Sequence, residues 1–258
     1  MDTYSILSQV KRERVSDRTQ HSLFENCELD KPILLLIWPQ LGDFDTLEYA
    51  WWLQKENAKL AAANIQVRAV AIGDANGGEK FCAYTHFPEA HLFVDPDASL
   101  HKELGLYQGL GAQLPGFSAQ QNGYLNLLLM CAGLGSPGTL KEVFRGYKGD
   151  KAAPQLIEDD EAVKAAPLPA LKGEVFKRAG GKGFQRPFEL ATLRLRNMGE
   201  VLGNWKTYVP DAAYLTQRGA TFLIEDGAVV YEWRDRNILG FAEDMSRPLT
   251  FLDKHLSQ

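Results

Sequence analysis

The residues best placed for chemistry in this chain gather around a junction that carries no sulfur. Ile33 to Trp38 form an unbroken apolar run ending at Pro39 and Gly42, and Asp43, Asp45 and Thr46 are good N-cap residues for the amphipathic stretch that follows. The pattern is a buried strand running into a helix. Backbone N–H groups and the helix dipole lower the pKa of a thiol held at such a point, so a reactive cysteine belongs there. Lys31 to Thr46 contains none. Its carboxylates, Asp43 and Asp45, are stabilised in their charged form by the same dipole, which makes them better caps than general bases near neutrality.

The cysteines lie elsewhere. Cys27 precedes the first core strand, Cys82 falls inside a helix beside Phe81 and Tyr84, and Cys131 sits in the apolar run Leu127 to Leu134. None is at a strand-to-helix N-terminus, and a buried cysteine behaves as a small hydrophobe with an unperturbed or raised pKa. Cys82 is only slightly ahead of the others as a redox centre. His21, His86, His91, His101 and His255 show no ligand spacing with one another or with a cysteine, so no metal is expected. Gly180, Gly181, Lys182 and Gly183 do not meet phosphate-loop spacing and follow no strand.

Several elements must position these residues. Leu47, Ala50, Trp51, Leu53, Ala58 and Ala61 recur at near-helical spacing, so one face of the helix after Asp43 packs on a sheet. Adjacent helical residues diverge by about 100°, so Trp51 and Trp52 cannot both point inward and one of them is a candidate contact residue. Val67 to Gly73 reads as a strand, Asp74 to Gly78 as a turn opening a helix through Tyr84, Leu92 to Val94 as a short buried strand, and Asp97 to Leu104 as a short helix. Ala220 to Ile224 and Ala228 to Trp233 bracket Glu225, Asp226 and Gly227, a hairpin signal. Residues 1–30 read as a polar lead with one amphipathic helix. Between Gln108 and Pro210 the pattern changes to Gly- and Pro-punctuated helices that belong to no core strand. Tyr124 to Leu134 reads as a buried helix or, alternatively, an interfacial or partner-facing one, and is well short of the about 20 residues a bilayer requires.

The order Leu23-Phe24-Glu25, the Ile33 to Trp38 strand, the helix after Gly42, Val67 to Gly73, Leu92 to Pro96 and Leu104 to Leu106, then Gly146 to Gly149 and Gln217 to Ile224, resembles the thioredoxin-like peroxiredoxins. Within them it is similar to the peroxiredoxin-like 2 branch, of the alkyl hydroperoxide reductase/thiol-specific antioxidant (AhpC/TSA) type, in the form found in cyanobacteria and plastids. The resemblance implies an α/β, thioredoxin-like three-layer fold with a central mixed sheet. One domain over residues 1–258 is expected, with a helical insertion over 108–210. Cysteine-bearing relatives place Cys-x-x-Cys after the glycine. This chain has Asp43 and Thr46 there, so Gly42, Asp43 and Thr46 read as a vestigial site.

Composition sets the remaining bounds: 258 residues, 45% hydrophobic, 24% charged and a net charge of −5 fit a globular protein with ample length for a core. The mild acidity argues against nucleic acid as a partner. An odd cysteine count suits a reducing compartment, and Met1 to Tyr4 opens no signal peptide, so cytoplasm or plastid stroma is expected. Lys172 to Lys206 carries eight Lys/Arg against three Glu, the one strong charge asymmetry in the chain. Lys182, Arg186, Arg194 and Arg196 are therefore expected on or beside a partner-binding surface, with the Tyr124 to Leu134 helix supporting it and Trp51 or Trp52 as further contacts. The expected partner is a protein with an acidic surface or an anionic thylakoid surface, with no cofactor. The overall expectation is a non-enzymatic binding or scaffolding subunit of a photosynthetic, thylakoid-associated assembly. The alternative is a thiol-dependent oxidoreductase using Cys82.

Overall fold

The computed structural model describes residues 2–256. The chain opens with α1 (Thr3–Gln9), capped by Asp2, whose carboxylate accepts from Ser5 N–H. A hairpin follows, β1 (Lys11–Arg14) and β2 (Thr19–Ser22), where sequence reading expected a polar lead with one amphipathic helix and no strand. Its residues are all polar and none is fully buried, so no alternation betrayed the strands.

The centre is built as its pattern dictates. All eight residues of β3 (Ile33–Gln40) are buried, the continuous apolar signature of a strand covered on both faces. The chain then runs through α2 (Phe44–Lys55), α3 (Asn57–Ala62), β4 (Gln66–Ile72), α4 (Ala75–Thr85), β5 (Leu92–Val94) and α5 (Ser99–Glu103). Residues 108–210 hold α6 (Ala119–Cys131), α7 (Thr139–Lys148), the two-stranded ribbon β6 (Ala162–Val163) and β7 (Leu171–Lys172), α8 (Gly173–Gly180), α9 (Glu189–Gly203) and α10 (Trp205–Tyr208). Last come β8 (Ala220–Glu225), β9 (Ala228–Arg234) and α11 (Asp253–Leu256). Asp226 (φ 49°) and Gly227 (φ 73°) close the β8–β9 hairpin with the two left-handed residues such a turn demands.

The seven-stranded sheet has the order β2-β1-β5-β4-β3-β8-β9. β3, β4 and β5 are parallel; β1 runs antiparallel to β5, and β8 to β3. Alternate residues of β3 feed opposite faces: Leu34, Leu36 and Trp38 pack with α2, α4 and α9, while Ile33, Leu35 and Ile37 pack with Leu7 of α1 and Leu100 near α5's start. The result is the three-layer thioredoxin-like arrangement that the sequence predicts. Among the described residues, 108–210 add no strand to this sheet, yet Leu190, Leu193 and Val201 of α9 join its core.

Of the two readings of one apolar stretch, the buried one falls here. The Tyr124 to Leu134 stretch is not a buried helix: in α6 only Asn126 and Met130 are buried, and Leu128 is 67% exposed. Met130 plugs a small cluster with Ile238 and Leu239, and the Asn126 side chain bonds both backbone groups of Ala112 at 3.2 and 3.0 Å. Those two residues fix the helix, and its other face is left uncovered. Among the described residues no helix is long and apolar enough to cross a membrane.

Candidate functional site

The strand-to-helix junction forms as its residues require. A bulge at Pro39 shifts the β3–β4 register before its last pair, Gln40 with Ile72, and Asp43 N–H then donates to Gln40 C=O at 2.9 Å to make the turn. Asp43 caps α2, its Oδ1 accepting from Asp45 N–H at 2.9 Å. Thr46 is fully buried and clasps the turn from inside, Oγ1 donating to Gln40 C=O at 2.9 Å. A Cβ on Gly42 would come within 2.9 Å of Tyr208 Cβ, so a glycine there lets α10 cross close over the junction.

What completes the site comes from the far end of the chain. β8 runs antiparallel to β3, so its first residues lie beside the end of β3, and Asp235, just past β9, arrives at the same edge. Arg218 is wholly buried there. Its guanidinium donates to Asp43 Oδ2 at 2.5 Å and Asp45 Oδ2 at 3.0 Å, and to the carbonyls of Thr216 (3.2 Å) and Leu215 (3.4 Å). Its backbone N–H is tied to Tyr107 C=O at 2.8 Å. One cation is thus surrounded by two carboxylates in contact and a third, Asp235, nearby.

Burial and that excess of carboxylate together raise two of the pKa values. Burial, then repulsion from Asp43, pushes Asp45 well above the ordinary carboxylate range, since the guanidinium that opposes this is shared. Burial raises Asp235 to about 8. The expectation of two plainly ionised caps therefore holds poorly for Asp45: the helix N-terminus favours its charge, but complete burial next to a second carboxylate outweighs it. Asp45 Oδ1 and Asp235 Oδ1 are buried without a hydrogen-bond partner, which adds to the cost of carrying a charge there.

Above Asp43 opens a cavity of about 510 Å³, walled by Phe44 of α2, Leu127 and Leu128 of α6, Met198 and Leu202 of α9, and Trp205. Trp205 Nε1 donates to Tyr124 Oη at 2.9 Å across it. Phe44 and Met198 also border a second apolar hollow of about 440 Å³, between α7 and α9.

At the thiols burial outweighs what nearby cations offer. Cys82 is buried in the main core, and burial pushes its thiol up to about 12. Burial also raises Cys27 and Cys131. Cys131, not Cys82, is the cysteine that borders the cavity, and there Asp43 raises its pKa further while Arg218 opposes. Among the described residues no group of three His, Cys, Asp or Glu side chains is placed to hold a metal ion.

The basic stretch is not the exposed patch the sequence suggests. Arg186 is fully buried, paired with Glu189 at 2.7 Å and Asp159 at 2.9 Å, and Arg194 of α9 is held by Glu48 of α2 and Glu142 of α7, both at 2.6 Å. These arginines fasten the 108–210 segment internally and onto α2, because long charged side chains enter a core only against carboxylates. Lys182 is exposed, 2.8 Å from Asp159, and Arg196 is half-buried beside Tyr84. Trp52 is buried and Trp51 lies at the helix rim under Lys55. Sequence reading missed Arg218, Asp235, Gln40 and Cys131 as neighbours of Asp43. Arg218 was visible only as part of the Gln217 to Ile224 motif.

The sequence profile of the AhpC/TSA antioxidant enzyme family matches residues 52–237. The chain belongs to this family. The match takes in Cys82, Cys131, Arg218 and Asp235, and begins past Asp43 and Thr46. No curated protein matches the chain. As an AhpC/TSA protein, it presents at the N-terminus of α2 a carboxylate locked to an arginine where the physics of the junction would favour a thiolate.

Proposed function

We propose that this AhpC/TSA protein has given up thiol peroxidase chemistry and acts by binding a protein partner. The observation that carries this reading is Arg218: its donors at the α2 N-terminus are taken by Asp43, Asp45 and two backbone carbonyls, so no free cation remains there to stabilise a thiolate or polarise a peroxide. The alternative, an oxidoreductase working through Cys82, is disfavoured by a thiol raised to about 12 in the core. Native cysteines should label with maleimide only slowly until the protein is unfolded. Fast labelling of Cys82 in the folded state would reverse the choice.

The partner surface moves with the geometry. Because Arg186 and Arg194 are spent on internal carboxylates, the docking face is the uncovered apolar side of α6 and α9, where Leu128 (67% exposed) and Leu202 (61%) rim the cavity over Asp43. Its occupant is an amphipathic segment of a protein partner inserting apolar side chains, and the resemblance to cyanobacterial and plastid forms supports a partner in a thylakoid-associated photosynthetic assembly. The helical segment over 108–210 is, on this reading, an insertion used for recognition. The substitutions Leu128→Asp and Leu202→Asp together should abolish recovery of the partner in cross-linking mass spectrometry and leave the melting temperature nearly unchanged. Recovery undiminished in that double variant would place the interface elsewhere, with Trp51 the next surface to test.

A further inference from the structure

At the opposite end of the sheet from Asp43 stands a buried arginine whose guanidinium meets no carboxylate. Arg68 stands in β4 beside Leu35 of β3, is only 6% exposed, and occupies a strand position that a sheet covered on both faces normally fills with an aliphatic residue. Arg186, Arg194 and Arg218 each hold two carboxylates, and Arg12 holds Asp95 at 2.9 Å. Arg68 donates instead to two backbone carbonyls, Val67 at 2.9 Å and Glu25 at a long 3.5 Å. Its Nε is buried with no partner. Glu25, whose carbonyl it meets, has its carboxylate turned to His21 and Arg14. A guanidinium has five N–H donors and cannot shed its proton, so a buried one without a counter-charge is a standing cost in stability.

Arg68 borders a cavity of about 370 Å³. Its outer rim carries the exposed amides Gln54 and Asn57, and its walls include Leu53, Leu60, Ile65 and Phe87. Gln66 braces the adjoining loop by bonding both backbone groups of Glu28 at 2.8 Å, so this side of the cavity is held in place. His91 also lines it. Burial and Arg68 lower His91 to about 4, so at neutral pH it offers a neutral ring and no second charge. The volume is in the range of small-molecule sites, and the lining combines one cation, uncharged amides and an apolar wall.

We infer that this cavity binds a small organic carboxylate, its anionic head paired with the Arg68 guanidinium and its apolar body against Leu53, Leu60 and Phe87. An arginine fork matches a carboxylate in two parallel hydrogen bonds, which a neutral amide of the same shape cannot reproduce. The inference does not rest on the protein-binding role, since it concerns the other end of the sheet.

The test uses the full chain with benzoate as the probe, benzamide as its neutral counterpart and inorganic phosphate as a second anion, all at constant ionic strength. Calorimetric titration and thermal melts should show saturable binding and a rise in melting temperature with benzoate and neither with benzamide. Arg68→Met should weaken benzoate binding about tenfold or more. In the absence of the anion it should melt no lower than the wild type, because it removes an unpaired buried charge. Asn57→Asp, at an exposed rim position, should weaken benzoate several-fold while leaving the unliganded melt intact, which keeps the test usable should Arg68→Met fail to fold. Equal responses to benzoate and benzamide, a response to phosphate alone, or benzoate binding unaffected by both substitutions would overturn the inference.

Discussion

Replacing Arg218 by methionine should destabilise the protein severely, and in a manner that depends on pH. The guanidinium is fully buried against Asp43, 8% exposed, and Asp45, fully buried, and its loss also strips donors from the carbonyls of Thr216 and Leu215. Removing one partner of a buried ion pair costs about 3–5 kcal/mol. In a domain of this size each kcal/mol lowers the melting temperature by about 2–4 °C, so a fall of about 6–20 °C at pH 7 is expected. Asp45, already raised by burial, would lose the one charge that opposes that rise, so its folded pKa would move further above its unfolded one. Such a group favours the folded state below about pH 4 and loses that contribution as pH rises through the folded pKa. The deficit relative to wild type should therefore be smallest near pH 4 and widen toward pH 8. Circular dichroism melts across that range measure it. A melting temperature within about 2 °C of wild type at pH 7, or a deficit that widens on acidification, would refute the account of the site.

Other consequences are open to direct measurement. Asp235 is raised by burial to about 8, so the wild type should lose stability between about pH 4 and pH 8 on its account, and Asp235→Asn should flatten that slope and melt higher than wild type above pH 8; an unchanged slope contradicts the assignment. Arg186→Met and Arg194→Met, which strand Glu189 and the Glu48–Glu142 pair, should each lower unfolding stability by about 3–5 kcal/mol in denaturant titrations. Denaturation midpoints at the wild-type value would mean the basic stretch is a solvated surface after all. Asp43→Cys should give a thiol titrating below the usual value of about 8.5 by thiolate absorbance, because it would sit at the α2 N-terminus within reach of Arg218. A value at or above that figure would mean the junction does not favour thiolates.

How much of this the sequence discloses follows from how local each signal is. The β3–α2 junction, β4, the Asp74-capped α4 and the β8–β9 hairpin are written in contiguous residues, by apolar runs, N-caps and an Asp-Gly turn, and all are legible. The β1–β2 edge hairpin is not, because its strands are polar on both faces. The site is half legible: Asp43 and Thr46 announce themselves as a cap, but Arg218 reaches Asp43 from 175 residues away and leaves no periodic trace. The same holds for Arg194 and Glu48, 146 residues apart. A run of arginines looks like an exposed patch until the distant carboxylates that bury it are known. For α6 the error is opposite in kind. An apolar composition signals burial only where something covers the helix, and here α6 leaves Leu128 facing outward.

The most direct test of the central claim is hydrogen peroxide consumption by the purified wild-type protein at neutral pH, with a thioredoxin system or glutathione as reductant. With Asp43 locked to Arg218 and every thiol raised by burial, consumption should not exceed that of the reductant alone. Turnover at ordinary peroxiredoxin rates that disappears in Cys82→Ser or Cys131→Ser would contradict it.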